Sequence, residues 1–420
     1  MTYSEALAYI HGANWRGSKL GLSRTFALLE LLGNPQKTLR FIHVAGTNGK
    51  GSTCAMLSSI LQAAGYRTGL FVSPFVNRFN ERMQYNNRPI PDEVLVSLVE
   101  QVQPIVDAMA QPPTEFELIT CLAFLYYQRM QCDIVVLEVG LGGEFDATNV
   151  IDTPLLAVVT AIDYDHMHIL GNTITAIATA KAGIIKPDGD VLFYGKNDEA
   201  ERVLRVRAAQ MQARLTVCDH RALRAGTFGI DGQTFSYGKL QNVRLALLGA
   251  YQLDNVALVL DAISFLNAHD LPVSESAVRE GLMTVHWPAR FELLRREPPF
   301  FVDGGHNPQG VRATVETFQR LYPQQQAVVV MGMMRDKDVD ASIRALLPIA
   351  KRFCTATPDN ARALPADALA ERIRSFGGTA QAFDSVSAAV EYAASCGEIG
   401  LAVGSLYMAG AVRAFFGRTT

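Results

Sequence analysis

The sequence predicts an α/β protein of two domains. A larger parallel-sheet domain of the P-loop type is expected over residues 1–296, and a smaller Rossmann-like α/β domain over residues 297–420. Three observations predict this. A chain of 420 residues is longer than one ordinary core organises. Apolar runs of strand length alternate with helical patterns, as in a parallel sheet. The first strand and helix are joined by "GTNGKGS" (46–52), a glycine-rich loop at the place where a βαβ unit binds phosphate.

Each element follows in order. "FIHVA" (41–45) is a short apolar strand that stops in the glycine loop. "STCAMLSSILQAAG" then reads as a helix with Met56, Leu57, Ile60, Leu61 and Ala64 on one side, and Gly65 is placed to end it. "RTGLFVSP" is a second strand ending at Ser73-Pro74. "PTEFELIT" begins a helix in which Thr114 and Glu117 have the spacing of a capping box. "CDIVVLEVGLGG" is a buried parallel strand with Glu138 as its conspicuous charge. "PLLAVVTAIDYDH" is another strand, closing in a loop that holds Asp163, Asp165 and His166. Strands and helices alternate to about residue 290, and "GAYQLDNVALVLDAISFL" reads as a largely buried helix. "WPARFELLRREPPF" has prolines, charges and no clean period, which predicts a linker, with Trp287 to Pro299 as its hinge. The pattern then restarts with "FFVDGGHNP", "AVVVMGMMRDKD" and "LAVGSLYMAG".

Composition narrows the function. The chain is 49% apolar, with a formal charge of −3 and both signs interleaved, so no nucleic-acid groove is expected. None of the six cysteines forms a C-x-x-C pair, and Cys218 with His220 lacks the further ligands of a metal site. The first residues carry Glu5 and no long apolar core, so no signal peptide is expected. No run approaches the roughly 20 apolar residues of a membrane helix. These readings predict a cytoplasmic protein, with a monomer as the default.

The glycine loop is the first candidate site. Gly49 and Gly51 allow backbone N–H groups to approach phosphate oxygens. Lys50 offers a charge to the phosphates of ATP, and Ser52 or Thr53 a hydroxyl to the accompanying Mg²⁺. The common loop places its hydroxyl directly after the lysine, whereas Gly51 intervenes here. A plain glycine turn is the competing reading. Glu138 ends an apolar strand, where an ionised carboxylate must be paired or bound to metal. A structural salt bridge would also explain it. His166, alone, reads as structural; beside Glu138, Ser73 and the loop it fits a Mg²⁺ shell, although that ion prefers oxygen ligands. Lys181 and Lys186, in "TAKAGIIK", fit a solvated helix face equally well.

Taken together these residues resemble the folylpolyglutamate synthases, a branch of the Mur ligase superfamily. The resemblance runs in order through "GTNGKGS", "SPF", "RFNER", "TEFE", "LEVGLGGEFDATNVI", "DH", "KAGIIK", "HWPARFE", "DGGHNP", "DKD" and "GSLY". It implies an ATP-dependent ligase that adds L-glutamate to the γ-carboxylate of a folate through an acyl phosphate. It implies that Thr47, Asn48, Gly49, Lys50, Gly51 and Ser52 hold the ATP phosphates. Ser52, Ser73, Glu138 and His166 match the Mg²⁺ shell, joined by Lys181 as a carbamate. Asn255, Arg290, Asp303 and His306 match nucleotide contacts, with Arg290 reaching phosphate. Ser73, Phe75 and Arg82 match a loop beside the folate, and Ser405 a place near the incoming glutamate. Lys50, Glu138, His166, Lys181 and Arg290 are therefore the residues expected to carry the reaction. The chain departs from the family at Ala180, at Gly305 where Ala is more usual, and at Ala289 where many relatives have Gly.

Two narrower questions stay open at this stage. "SKLGLSR" (18–24) lies where bifunctional relatives bind pteroate, which would add dihydrofolate synthesis from dihydropteroate. Lys19 and Arg24 read equally well as solvated charges. A P-loop ATPase or switch that joins no substrates would explain the first loop, but not Glu138, His166, Arg290 and "DGGHNP" together.

Overall fold

The computed structural model describes residues 1–13 and 21–418, so Lys19 lies outside the described residues. The chain forms two compact units. The first comprises residues 1–75, 79–220 and 255–284, and the second comprises 76–78, 221–254 and 285–420. The backbone thus passes between units five times, after residues 75, 78, 220, 254 and 284. The cut expected between residues 296 and 297 falls inside the second unit.

The first unit is built on an eight-stranded sheet. Its strands are β1 (Phe41–Ala45), β2 (Thr68–Phe71), β3 (Met83–Tyr85), β4 (Arg88–Pro89), β5 (Ile134–Glu138), β6 (Leu156–Val159), β7 (Asp190–Phe193) and β8 (Arg214–Val217). They lie in the order β4-β3-β2-β5-β1-β6-β7-β8. The last six in that order run parallel, and β3 and β4 form an antiparallel hairpin at one edge. β1, β2, β5 and β6 are buried along their whole length, which is why they read as continuous apolar runs. The helix Lys50–Ala63 is buried at every position from Gly51 to Leu61, not on one side alone. Phe41, Phe71 and Phe124 sit in the same apolar core. The strands expected in "FIHVA", "CDIVVLEVGLGG" and "PLLAVVTAIDYDH" are present as β1, β5 and β6, and their C-terminal ends are side by side.

In the second unit, β9 (Leu223–Gly229), β10 (Gly232–Tyr237) and β11 (Leu240–Leu245) form a three-stranded antiparallel sheet. The expected strand–helix alternation to residue 290 fails here. Two short turns, one holding Asp231 and one Gly238-Lys239, join these strands as hairpins. The larger sheet contains β12 (Glu292–Arg296), β13 (Pro299–Val302), β14 (Ala327–Met331), β15 (Ala350–Thr355), β16 (Ala380–Ala382) and β17 (Gly400–Val403). Its order is β12-β13-β17-β14-β15-β16, with β12 antiparallel to β13 and the others parallel. The segment expected to be a linker is therefore the β12–β13 hairpin. Phe291 and Leu294 are buried within this unit, and that apolar anchoring outweighs the charges and prolines that suggested a linker. Among the described residues no helix is long and apolar enough to cross a membrane.

Candidate active site

β1 stops at Ala45 because Gly46 turns the chain with φ 152°, and Gly49 turns it again with φ 89° into the helix Lys50–Ala63. A side chain at Gly46 would meet Thr160 Oγ1 at 1.8 Å, and one at Gly49 would meet Asn255 Oδ1 at 2.6 Å. Asn255 is thereby packed on the loop. The loop is stitched to the end of β6. Thr47 and Asn48 donate their N–H groups to the Ala161 carbonyl at 2.8 and 3.3 Å, and Thr160 Oγ1 donates to Asn48 O at 2.8 Å. Thr47 Oγ1 donates to Asp163 O at 3.0 Å. The helix that starts at Lys50 offers first-turn amides and the positive end of its dipole to an anion.

Two lysines converge beneath this loop. Lys50 Nζ donates to Gly46 O at 3.1 Å, and Lys181 Nζ, from the helix Ile174–Ala182, donates to the same carbonyl at 2.8 Å. Lys181 is only 4% exposed, so the solvated-face reading does not hold for it. Burial first, and the neighbouring Lys50 second, push its ammonium down to about 7, against the opposing pull of Asp165 and Asp146. Lys186 has a different role: its Nζ donates to Asn149 O at 2.9 Å.

Glu138 closes β5 opposite Val44 of β1 and is 4% exposed. Ser73 donates its N–H to Glu138 Oε2 at 3.1 Å, which brings two of the expected metal residues together. Ser52 is buried in the first turn of the loop helix, and the buried Thr53 Oγ1 has no hydrogen-bond partner among the described residues. His166 has a left-handed backbone, φ 50°, and donates its N–H to Asp165 Oδ1 at 2.8 Å. Among the described residues no three His, Cys, Asp or Glu side chains gather into a metal cage. One buried carboxylate with hydroxyls beside a phosphate loop instead fits Mg²⁺, which keeps waters and takes phosphate oxygens as its other ligands. Phe75 and Arg82 are also brought together: the Arg82 guanidinium lies 5.3 Å from the Phe75 ring centroid and 5.8 Å from that of Phe79.

The second unit gathers Arg290, Asp303, His306 and Ser405 at the C-terminal ends of its parallel strands. Asp303, just after β13, is 4% exposed and accepts four hydrogen bonds. Its Oδ1 takes Gly305 N–H at 2.8 Å and Thr314 Oγ1 at 2.7 Å; its Oδ2 takes Phe291 N–H at 2.7 Å and the Tyr251 hydroxyl at 3.4 Å. Burial, with Asp303 beside it, pushes the Tyr251 hydroxyl well up, so it stays a donor. The guanidinium of Arg290 occupies the space over Gly304: a Cβ there would lie 2.4 Å from Arg290 Nη1. His306 Nδ1 is 2.9 Å from Gly304 O. Ser405 caps the helix Leu406–Phe415, its hydroxyl accepting Tyr407 N–H at 3.1 Å. Gly305 also has a reason here, since a Cβ would stand 2.8 Å from Asp303 Oδ1.

Sequence reasoning missed two arrangements. Arg24 is not a solvated charge: its side chain is 10% exposed and grips Glu117 through Nη2–Oε1 at 2.6 Å and Nε–Oε2 at 3.0 Å. Glu117 also accepts Thr114 N–H at 2.7 Å, so the residue read as a cap is half of a buried ion pair. The second is the pairing of Glu292 with Arg413, which no local pattern signals because the residues are far apart in sequence.

Two domain families match the chain: the Mur ligase middle domain over residues 44–263, and the Mur ligase glutamate ligase domain over residues 289–406. The chain is 40% identical to the dihydrofolate synthase/folylpolyglutamate synthase of Bacillus subtilis, over 98% of each chain. Its fold matches Mycobacterium tuberculosis folylpolyglutamate synthase complexed with ADP, with a TM-score of 0.91, 30% identity and 99% of each chain covered. It also matches a folylpolyglutamate synthase complex with AMPPCP and folate, with a TM-score of 0.85, 33% identity, and 98% and 99% coverage.

Proposed function

The chain belongs to the Mur ligase family, in its folylpolyglutamate and dihydrofolate synthase branch, and on that premise we propose how its residues join L-glutamate to a folate. It is an ATP-dependent ligase that acts on small molecules. The carrying observation is the edge of the first sheet, where Lys50, the buried Glu138 held by Ser73, and the buried Lys181 surround one glycine loop.

A carboxylate resists an amine because oxide is a poor leaving group. Phosphorylation by ATP turns that oxygen into phosphate, which leaves readily when the glutamate amine attacks; the products are an amide, ADP and phosphate. In this reading Lys50 and the loop Thr47–Ser52 hold the phosphates through the amides from Gly49 to Ser52, those of Thr47 and Asn48 being engaged by the Ala161 carbonyl, with Asn255 against the loop. Arg290 neutralises charge on the transferring group, where fixed cations are most effective. Ser52, Ser73, Glu138 and His166 would hold Mg²⁺, which supplies charge stabilisation at the phosphoryl oxygens. Lys181, partly neutral near pH 7, can attack CO₂ through its free amine, forming an N-carboxylate and releasing a proton. As a carbamate it would turn a cation into a further metal-binding anion. Phe75 and Arg82 offer an aromatic face and a cation to the folate. Asp303 shapes the turn that carries Arg290, and His306 and Ser405 serve the nucleotide and glutamate. We also assign dihydrofolate synthase activity, a cytoplasmic location and a monomeric state.

ADP release with Mg²⁺ and L-glutamate, measured separately with tetrahydrofolate and with dihydropteroate and read by product mass, tests the assignment. A gain of one glutamate in both arms is expected. Turnover with tetrahydrofolate alone would leave a polyglutamylating enzyme only. No amino-acid-dependent ADP release in either arm would remove the substrate assignment.

A further inference from the structure

Arg290 stands between two residues whose backbones are left-handed, Ala289 at φ 54° and Phe291 at φ 46°. Neither is glycine, and an L side chain avoids this region unless its surroundings hold it there. Two carboxylates do so. Asp303 Oδ2 accepts Phe291 N–H at 2.7 Å, and Glu292 Oε2 accepts Ala289 N–H at 2.9 Å. The Glu292 carboxylate is itself gripped by Arg413, whose Nε donates to Oε2 at 2.9 Å and lies 3.3 Å from Oε1. Arg413 is 1% exposed. A buried ion pair is seldom worth more to stability than apolar residues of the same volume, so stability alone does not account for it. What such a pair does supply is a fixed orientation. Arg413 also projects from the helix Leu406–Phe415 that Ser405 caps.

We propose that Glu292 and Arg413 are positioning residues: they hold the Ala289–Phe291 turn in the one conformation that presents the Arg290 guanidinium over Gly304. The proposal rests on the phosphate role given to Arg290 above. Through the Ser405 helix, the groups assigned to nucleotide and to glutamate become parts of one rigid piece.

The test is a double-mutant cycle on the full chain. Rates at varied ATP are measured for Arg413→Met, Arg290→Ala and the combination, with the melting temperature of each. Arg413→Met is expected to lower kcat/KM for ATP at least tenfold at a temperature where it stays folded, with KM for glutamate changed less than twofold. In the Arg290→Ala background the same change is expected to add almost nothing, because its effect passes through Arg290. Arg413→Lys should restore part of the loss. If Arg413→Met does not fold, Glu292→Leu with Arg413→Met removes both charges together and should show the same kinetic pattern. An equal loss in both backgrounds, or none in the wild type, overturns the positioning role. Full kcat/KM in Arg290→Ala alone overturns the role of Arg290, and the proposal with it.

Discussion

The glycine loop of the first unit and the Arg290 turn of the second handle buried charge in opposite ways. Around the glycine loop of the first, two ammonium groups share one carbonyl, and burial with mutual repulsion pushes Lys181 down to about 7. In the second, Asp303 accepts four hydrogen bonds and Glu292 is matched by Arg413. A group whose electrostatic demand is unmet by its own protein is poised for a ligand. A group that is fully matched holds shape. Binding residues and positioning residues can thus be told apart by how completely their neighbours satisfy them.

The comparison can be broken by substitution. Lys50→Met should lower kcat/KM for ATP about a thousandfold, the loss expected when a charge on a transferring group is removed. It should leave urea stability unchanged or slightly raised, since it relieves Lys181 of its repulsion; a large fall in stability would contradict the contrast. Asp303→Ala should behave in reverse, unfolding at markedly lower urea. It strands the N–H groups of Phe291 and Gly305, at a combined cost of about 2 kcal/mol or more.

A pH experiment sharpens the first half. His43, fully buried in β1, bonds Thr148 Oγ1 through Nε2 at 2.9 Å, and burial, then Lys186, lower it from 6.5 to about 3. Below pH 6.5 the unfolded chain takes a proton that the folded chain refuses, so stability from this group is lost as pH falls from 6.5 towards 3. Between pH 7 and pH 5 that amounts to about 2 kcal/mol. His43→Leu should shrink the difference between urea unfolding at those two pH values; an unaltered difference would place the acid sensitivity elsewhere. The smallest effect is expected at Ala289. With φ 54° it suits glycine, so Ala289→Gly should add about 0.5–1 kcal/mol in urea unfolding. A loss instead would mean that the turn is not strained.

The legible parts of this molecule were those in which chemistry and local pattern coincide. Lys50 among glycines and Glu138 inside an apolar run announce themselves, because each is anomalous in its own few residues. The β12–β13 hairpin reads as a linker because Arg295 and Arg296 dilute its apolar pattern, and what fixes it in the sheet is a distant pairing, Val302 of β13 with Ala402 of β17. The β9–β11 sheet does leave a signal in the sequence at Asp231-Gly232, a turn pair between alternating residues. Arg24 with Glu117 and Glu292 with Arg413 were out of reach. A charge in a sequence gives no sign that a remote opposite charge will take it out of water.

The five passages of the chain between units bear on how such a protein can be taken apart. No single cut separates the units cleanly: residues 1–284 hold the whole of the first but also orphan pieces of the second, and residues 285–420 lack the three-stranded sheet. During synthesis the first unit waits for residue 284, while the segment 221–254 must emerge and be set aside for a partner not yet made. Recombination between relatives faces the same constraint. One crossover cannot exchange a unit, and a chimera that keeps both intact needs junctions at every passage.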